Sequence, residues 1–153
     1  MMSVENVFRV AVFTFGLILS GCGPGDGSSE GDVEAVAEVA SLEGSNWQLV
    51  QMTVPGGFVF TPEDPADYVL NFRSENRLTG SSDCNRITGN WQQQGAALTF
   101  DPFSTARALC PPPSLHNYLS LYLRDVISHR ISGEHLFLTT NTEGVELEFQ
   151  ARE

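Results

Sequence analysis

Cys84 is the residue of this sequence with the widest range of possible chemistry. It lies in the stretch SSDCNRITGNW (residues 81–91), which follows Gly80 and has the composition of a turn. A cysteine can act as a nucleophile, bind a metal ion or form a disulfide. Nucleophilic chemistry needs a thiolate beside a base, whereas the neighbouring Asp83 disfavours the charged form of the thiol. A Cys84-dependent redox or hydrolytic enzyme is therefore the alternative hypothesis and not the preferred one.

The three histidines, His116, His129 and His135, are the candidate bases and metal ligands. None is close to Cys84 in the sequence, and the spacing of His129 and His135 matches no recognised pair of metal ligands. The Gly-x-Ser-x-Gly spacing occurs once, in GSSEG (27–31), but no apolar strand directly precedes it, so the chain lacks the strand-to-helix elbow of serine hydrolases. We therefore predict scattered, solvated histidines, no metal site, no cofactor and no catalytic residue.

The N-terminal residues have the features of a bacterial lipoprotein signal. Arg9 precedes a mainly apolar run, VAVFTFGLIL (10–19). This run is too short to cross a bilayer, which takes about 20 residues, but it suits a signal peptide. The residues LSGC (19–22) resemble the lipobox, in which the cysteine is lipidated and becomes the first residue of the mature protein. We predict a signal peptide at residues 1–21 and a lipid on Cys22, with an ordinary unlipidated signal as the alternative.

The segment after Cys22 has the composition of a flexible tether. Residues 23–43 contain six acidic residues, four glycines and no basic residue. Such a segment buries too little apolar surface to offset its ordering entropy. We therefore divide the chain into a tether at 22–43 and a folded domain at 44–153. Gly23 stands where an aspartate would direct retention in the inner membrane, which favours the outer membrane, facing the periplasm.

The number of cysteines bears on the role of Cys84. If Cys22 is lipidated, Cys84 and Cys110 remain as one pair in a compartment that promotes oxidation. We predict a disulfide between them. On the chain-entropy model, closing the loop between these two cysteines contributes about 3 kcal/mol to stability.

The net charge restricts the partners. The chain carries 19 acidic and 8 basic residues, a formal net charge of -11. Nucleic acid and anionic lipid headgroups both repel such a chain. We predict no nucleic-acid partner and a membrane attachment that depends on the lipid.

The folded domain reads mostly as strands. Asn141–Gly144 suits the loop of a closing hairpin, whereas RLTGSSD (77–83) reads as a turn. Ser114 is placed to cap a helix that continues through Ser128. We predict strands at 46–54, 68–72, 85–95, 96–100, 135–140 and 145–151, a loop or hairpin at 55–67, and a buried helical stripe of Leu115, Tyr118, Leu119, Tyr122 and Val126.

Four aromatic residues have two possible roles. Phe58, Phe60, Trp91 and Phe103 could line or cover an apolar cleft, or they could belong to the core. Phe58 and Phe60 lie in the proline-rich loop at 55–67, so we expect these two to be the more exposed.

Four blocks occur in the order typical of the META domain family, which includes the HslJ-like, heat-shock-inducible lipoproteins. The central block contains Asn85, Gly89 and Trp91, and the next contains Thr105 and Cys110. Asp83 stands where the family usually has glycine. The blocks are LEGSNWQLV (42–50), SSDCNRITGNW (81–91), STARALCP (104–111) and LRDVISHRISGEHLFLTTNTEGVELEF (123–149).

The resemblance implies an α+β fold, in which a curved antiparallel sheet or partly open small barrel packs against one α-helix. It also implies an exported, often lipid-anchored protein linked to envelope stress and heat shock, with no established catalysis. We expect a non-enzymatic accessory of the bacterial cell envelope that binds a protein or a small apolar ligand. The alternatives are the Cys84-dependent enzyme and a purely structural accessory.

Overall fold

Alternating apolar and polar residues give nine β-strands in a computed structural model that describes residues 40–153. The predicted signal peptide, Cys22 and most of the predicted tether lie outside the described residues. The elements are β1 (Asn46–Val54), β2 (Phe58–Phe60), a short 3₁₀ helix (Pro65–Asp67), β3 (Tyr68–Phe72), β4 (Arg77–Ser82), β5 (Asn85–Gln94), β6 (Ala97–Thr105), α1 (His116–Leu123), β7 (Val126–Ser132), β8 (His135–Thr140) and β9 (Glu146–Ala151).

The sheet closes on itself, so the prediction of an α+β fold with a curved antiparallel sheet or a partly open small barrel was wrong. Strands β1 and β3 to β9 pair antiparallel in sequence order, and β9 pairs back onto β1 from Trp47 to Thr53. The result is an eight-stranded closed barrel, with β2 as an extra strand on the end of β1. Residues 40–153 are therefore mostly β, because the one α-helix among them has only eight residues.

The two ends of the barrel differ. The chain enters at the end where β1 begins, and Leu42 is fully buried there. The packed domain therefore starts before the predicted boundary at residue 44. We call this the N-terminal end. Helix α1 covers the opposite end, the helix end, where Leu119 and Leu123 are fully buried in the core.

The helix is shorter than the predicted segment at 114–128. It ends at Leu123, and Val126 already pairs with Thr140 as the first residue of β7. The predicted stripe is also incorrect at Tyr118, which is 46% exposed. Within the described residues, no helix is long and apolar enough to span a bilayer.

Two further predictions about strands need correction. Residues 77–82 form strand β4, which pairs on both edges, although they were predicted to be a turn. Strand β7 was not predicted. Strands β1, β3 and β8 have the predicted bounds.

Candidate functional site

Cys84 and Cys110 form a disulfide in the structure, with their Cα atoms 5.5 Å apart. Cys84 is the second residue of the two-residue turn between β4 and β5, and Cys110 lies in the connection between β6 and α1. The bridge therefore ties the β4–β5 turn to this connection at the helix end. In this state Cys84 has no thiolate that could act as a nucleophile.

Asn85 holds the same connection through hydrogen bonds. Its side chain is buried and accepts a bond from the Ala108 N–H (2.8 Å). The same side chain donates to the Ala108 carbonyl oxygen (3.0 Å) and contacts the Cys110 sulfur (3.1 Å). A buried amide that satisfies both polar groups of one backbone residue is a structural clamp.

The other motif residues shape the β5–β6 hairpin. A Cβ atom on Gly89 would fall inside van der Waals contact of the Pro102 carbonyl oxygen, so the two strands can approach here only because residue 89 is glycine. The pairing also shifts register between Gly89 and Trp91, which is a bulge that bends the sheet.

Trp91 and Thr105 lie on the two strands of the same hairpin. Trp91 is buried, and its indole N–H donates to the Arg73 carbonyl oxygen (3.2 Å). Thr105 is half-buried opposite Ile87. The structure therefore distributes the motif along one hairpin and does not gather it around a single pocket.

The histidines occupy three separate places, and the prediction that all three are solvated was wrong for two of them. His116 is buried, with Nδ1 3.0 Å from Ser82 Oγ. His129 is buried, with Nδ1 3.1 Å from the Ala96 carbonyl oxygen, and burial lowers its pKa. His135 is half-buried, with Nδ1 2.7 Å from Glu148 Oε1.

The structure places His116 nearer to the disulfide than the sequence suggested. A small cavity of about 80 Å³ is lined by both His116 and Cys110. The hydroxyl partner of His116 belongs to Ser82, which is fully buried and inaccessible to a substrate. The pair therefore suits an internal hydrogen bond that joins β4 to α1.

Within residues 40–153, one group of three potential metal ligands comes together: Asp83, Cys84 and Cys110. Both sulfurs of this group are consumed by the disulfide. The oxidised protein therefore offers one carboxylate there, which is too few ligands for a metal site.

The four aromatic residues do not form one cleft. Trp91 is part of the core, and Phe103 is half-buried beneath the Arg124 guanidinium, 4.9 Å from the ring centre. Phe58 is 67% exposed, whereas Phe60 is half-buried and stacks on Tyr118 with ring centroids 5.3 Å apart.

An apolar surface lies at the helix end. Phe58 and Phe60 follow the tight turn after β1, and alternation along β2 places both on one face. Tyr118 stacks on Phe60, and Leu121, 59% exposed, is three residues farther along the helix on the same face as Tyr118. We define the apolar end surface as Phe58, Phe60, Tyr118 and Leu121. The two phenylalanines were candidates from the sequence, whereas Leu121 was not.

An acidic cavity of about 260 Å³ lies at the same end of the barrel. Tyr68, the first residue of β3, is its only lining residue that belongs to a strand. The Tyr68 hydroxyl accepts a hydrogen bond (3.0 Å) from the N–H of Leu115, one residue before α1. Burial raises the pKa of Tyr68, and the nearby Asp83 carboxylate adds to the rise. The lining residues are Glu63, Asp64, Asp67, Tyr68, Asp83, Pro111, Pro112 and Pro113.

This cavity was not predicted from the sequence. The available signal was the acidic, proline-containing stretch TPEDPAD (61–67). The contribution of Asp83 and of the prolines depends on the disulfide-linked connection, which the sequence alone does not place in space.

Comparisons with known proteins support the fold and the family. No curated protein matches the chain. A protein from Burkholderia xenovorans solved by NMR is similar in structure, with a TM-score of 0.63 and 18% identity over 72% of this chain and 83% of that one. The crystal structure of a DUF4847 family protein from Bacteroides vulgatus has a TM-score of 0.52 and 18% identity, over 70% of this chain and 92% of that one. The family model of the META domain matches residues 40–153. The chain therefore belongs to the META domain family.

Proposed function

We propose that this protein is a non-enzymatic, lipid-anchored accessory of the bacterial cell envelope, and that it binds a partner through the apolar end surface. The observation that carries the proposal is the exposure of Phe58, Tyr118 and Leu121 beside one another at the helix end. Large apolar side chains that are grouped on a surface mark an interaction site, whereas single exposed apolar side chains do not. The aromatic members are residue types that dominate binding energy at interfaces.

The packing of the barrel favours a protein partner over a small apolar ligand. Large side chains with no exposed surface, including Phe72, Met52 and Phe149, fill the interior, and α1 and Leu42 cover its two ends. A carrier of small apolar molecules needs an enclosed apolar cavity. The apolar surface that remains available lies on the outside.

The localisation rests on the sequence. A periplasm-facing lipoprotein has an export signal, a lipidated cysteine and a tether, which correspond here to residues 1–21, Cys22 and residues 22–43. Gly23 favours the outer membrane. The META family supports a role in envelope stress. The disulfide supports an oxidising compartment, because such bridges are rare in the cytosol.

The mass of the protein extracted from membranes, alkylated before and after reduction, tests anchoring and non-enzymatic character together. We expect a chain that starts at an acylated Cys22 and gains two alkyl groups only after reduction. A chain that gains them without reduction has a free Cys84 thiol, which favours the enzyme hypothesis. A chain without acyl groups contradicts the anchor.

Site-specific photo-crosslinking in cells tests the binding surface. A photoreactive phenylalanine analogue at position 58 or 118 should give a discrete adduct with a partner. The matched control is the exposed position 94, at the opposite end of the barrel. Equal crosslinking at positions 58, 118 and 94, or none, contradicts the proposed surface and favours the purely structural accessory.

A further inference from the structure

We infer that the apolar end surface and the adjacent acidic cavity together bind a basic amphipathic segment of a partner polypeptide. This inference rests on the proposed function and specifies the chemistry of the partner. It is derived from the charge beside the apolar side chains, from the way the two regions are joined, and from the point at which the chain enters the barrel.

The two regions are joined by short, fixed connections. Glu63 follows Phe60 by three residues, which limits their separation to about 11 Å. On the other side, the hydrogen bond from Leu115 N–H to the Tyr68 hydroxyl fixes the start of α1 against the wall of the cavity. A single bound segment can therefore contact both regions.

The charge of the cavity specifies the sign of the partner. Glu63, Asp64, Asp67 and Asp83 line it, and its lining residues include no arginine. Glu63, Asp64 and Asp67 are exposed. An apolar surface flanked by four carboxylates is complementary to a segment with apolar residues on one side and lysine or arginine on the other.

A polypeptide fits these features better than a membrane does. Anionic lipid headgroups are repelled by the same carboxylates that attract a basic segment. The chain enters the barrel at the far end, where the Gln93 side chain donates to the Ala40 carbonyl oxygen (3.0 Å) and accepts a bond from the Leu42 N–H (3.1 Å). Attachment through the N-terminal segment therefore leaves the helix end free to face away from the anchoring membrane.

The test measures binding of synthetic peptides to the full-length protein in neutral phosphatidylcholine nanodiscs, with empty nanodiscs as the blank. The probe is a fluorescent 18-residue peptide of leucine and lysine in an amphipathic helical pattern. The comparison peptide has glutamate in place of every lysine. We expect the lysine peptide to bind and the glutamate peptide to bind at least tenfold more weakly.

Variants separate the apolar from the acidic contribution. Phe58→Ser with Leu121→Gln, and Glu63→Gln with Asp67→Asn, alter exposed side chains only, and each pair should weaken the lysine peptide at least tenfold. Matched controls at the N-terminal end are Ile131→Ser and Glu134→Gln, both at exposed positions. The controls should change the affinity less than twofold.

The remaining outcomes overturn the inference in distinguishable ways. Equal binding of both peptides, lost only in the Phe58/Leu121 variant, retains the apolar end surface but overturns the basic partner. If Glu134→Gln weakens binding as much as the Glu63/Asp67 variant does, the peptide is attracted non-specifically to an acidic protein. This outcome also overturns the inference. Binding of the protein to phosphatidylglycerol vesicles that Leu121→Gln abolishes identifies a membrane surface instead. Absence of peptide binding, with position-specific crosslinks at residues 58 and 118, overturns the partner chemistry but not the proposed function.

Discussion

The side chain of Asn85 forms both a donor and an acceptor hydrogen bond with the backbone of Ala108, at 3.0 and 2.8 Å. These bonds cross from the start of β5 to the middle of the connection that carries Cys110. Together with the disulfide, they attach a connection without regular secondary structure to the barrel at two points, Ala108 and Cys110, which are two residues apart. The position of α1 depends on this attachment, because the helix begins six residues after Cys110.

Replacing Asn85 with alanine should loosen this connection. The substitution removes both bonds, and we expect the free energy of unfolding to fall by about 1–2 kcal/mol. The local effect is sharper, because Arg107 is exposed and its peptide bond to Ala108 is a trypsin site. Limited proteolysis should show faster cleavage after Arg107 in Asn85→Ala than in the wild type. The control, Asn117→Ala at an exposed helix position, should leave this cleavage rate unchanged, and equal rates in all three proteins contradict the clamp.

Asp83 should be less favourable than glycine in the β4–β5 turn. It is the first of two turn residues and has φ of 56°, a conformation that glycine adopts at little cost. This geometry gives a physical reason for the glycine that the META family usually has there. We expect Asp83→Gly to be more stable than Asp83→Ala by about 1 kcal/mol in chemical denaturation. Both variants remove the carboxylate, so a difference between them reports the backbone strain at this position, and equal stability contradicts the prediction.

Strand β4 shows why part of the fold could not be predicted from sequence. Its segment contains Gly80, Ser81 and Ser82, residues typical of turns, and Leu78 is its only large apolar residue. It is a strand because β3 and β5 pair with it on both sides, and this tertiary pairing overrides the local preference.

The end of α1 is a related case. Val126 continues the helical stripe of the sequence, but it begins β7 and its backbone pairs with Thr140 of β8. The signal against a longer helix was local, since Val126 and Ile127 are β-branched. Barrel closure left no local signal, because the pairing of Gln51 with Glu148 joins the two ends of the domain.

The candidate site, like the fold, could be predicted from the sequence only in part. The count of cysteines led to the Cys84–Cys110 pair, and the position of Phe58 in a loop rich in proline and glycine indicated its exposure. The stacking of Phe60 on Tyr118 was not predictable, because it depends on where the barrel places β2 relative to α1.

Gly89 should tolerate no side chain. Its φ is not in the left-handed region, so alanine is disfavoured there only by the β6 backbone that its Cβ would meet, above all the Pro102 carbonyl oxygen. Overpacking of this kind costs about 1–3 kcal/mol, and the backbone of β6 can shift only by disturbing its pairing with β5. Thermal unfolding of Gly89→Ala should occur at a clearly lower temperature than that of the wild type. Asn90→Ala, at the exposed neighbouring position, should differ from the wild type by less than about 0.5 kcal/mol.

His129 should make the protein less stable in mild acid. Its ring is buried near the point where the chain enters the barrel, and burial lowers its pKa in the folded state below the ordinary value of 6.5. Below pH 6.5 the unfolded chain therefore takes up a proton that the folded protein does not, so this residue reduces stability as the pH falls from 6.5 towards its folded pKa.

The measurement is the free energy of unfolding at pH 7.5 and 5.5 for the wild type and for His129→Gln. Glutamine is neutral at both values, so the decrease between them should be smaller in the variant, whatever the stability of each protein at pH 7.5. Comparing the two decreases also removes the contribution of the carboxylates, which both proteins share. If the free energy of unfolding falls by the same amount in both proteins, His129 takes up its proton in the folded protein as readily as in the unfolded chain. Burial of its ring is then not the origin of the acid sensitivity.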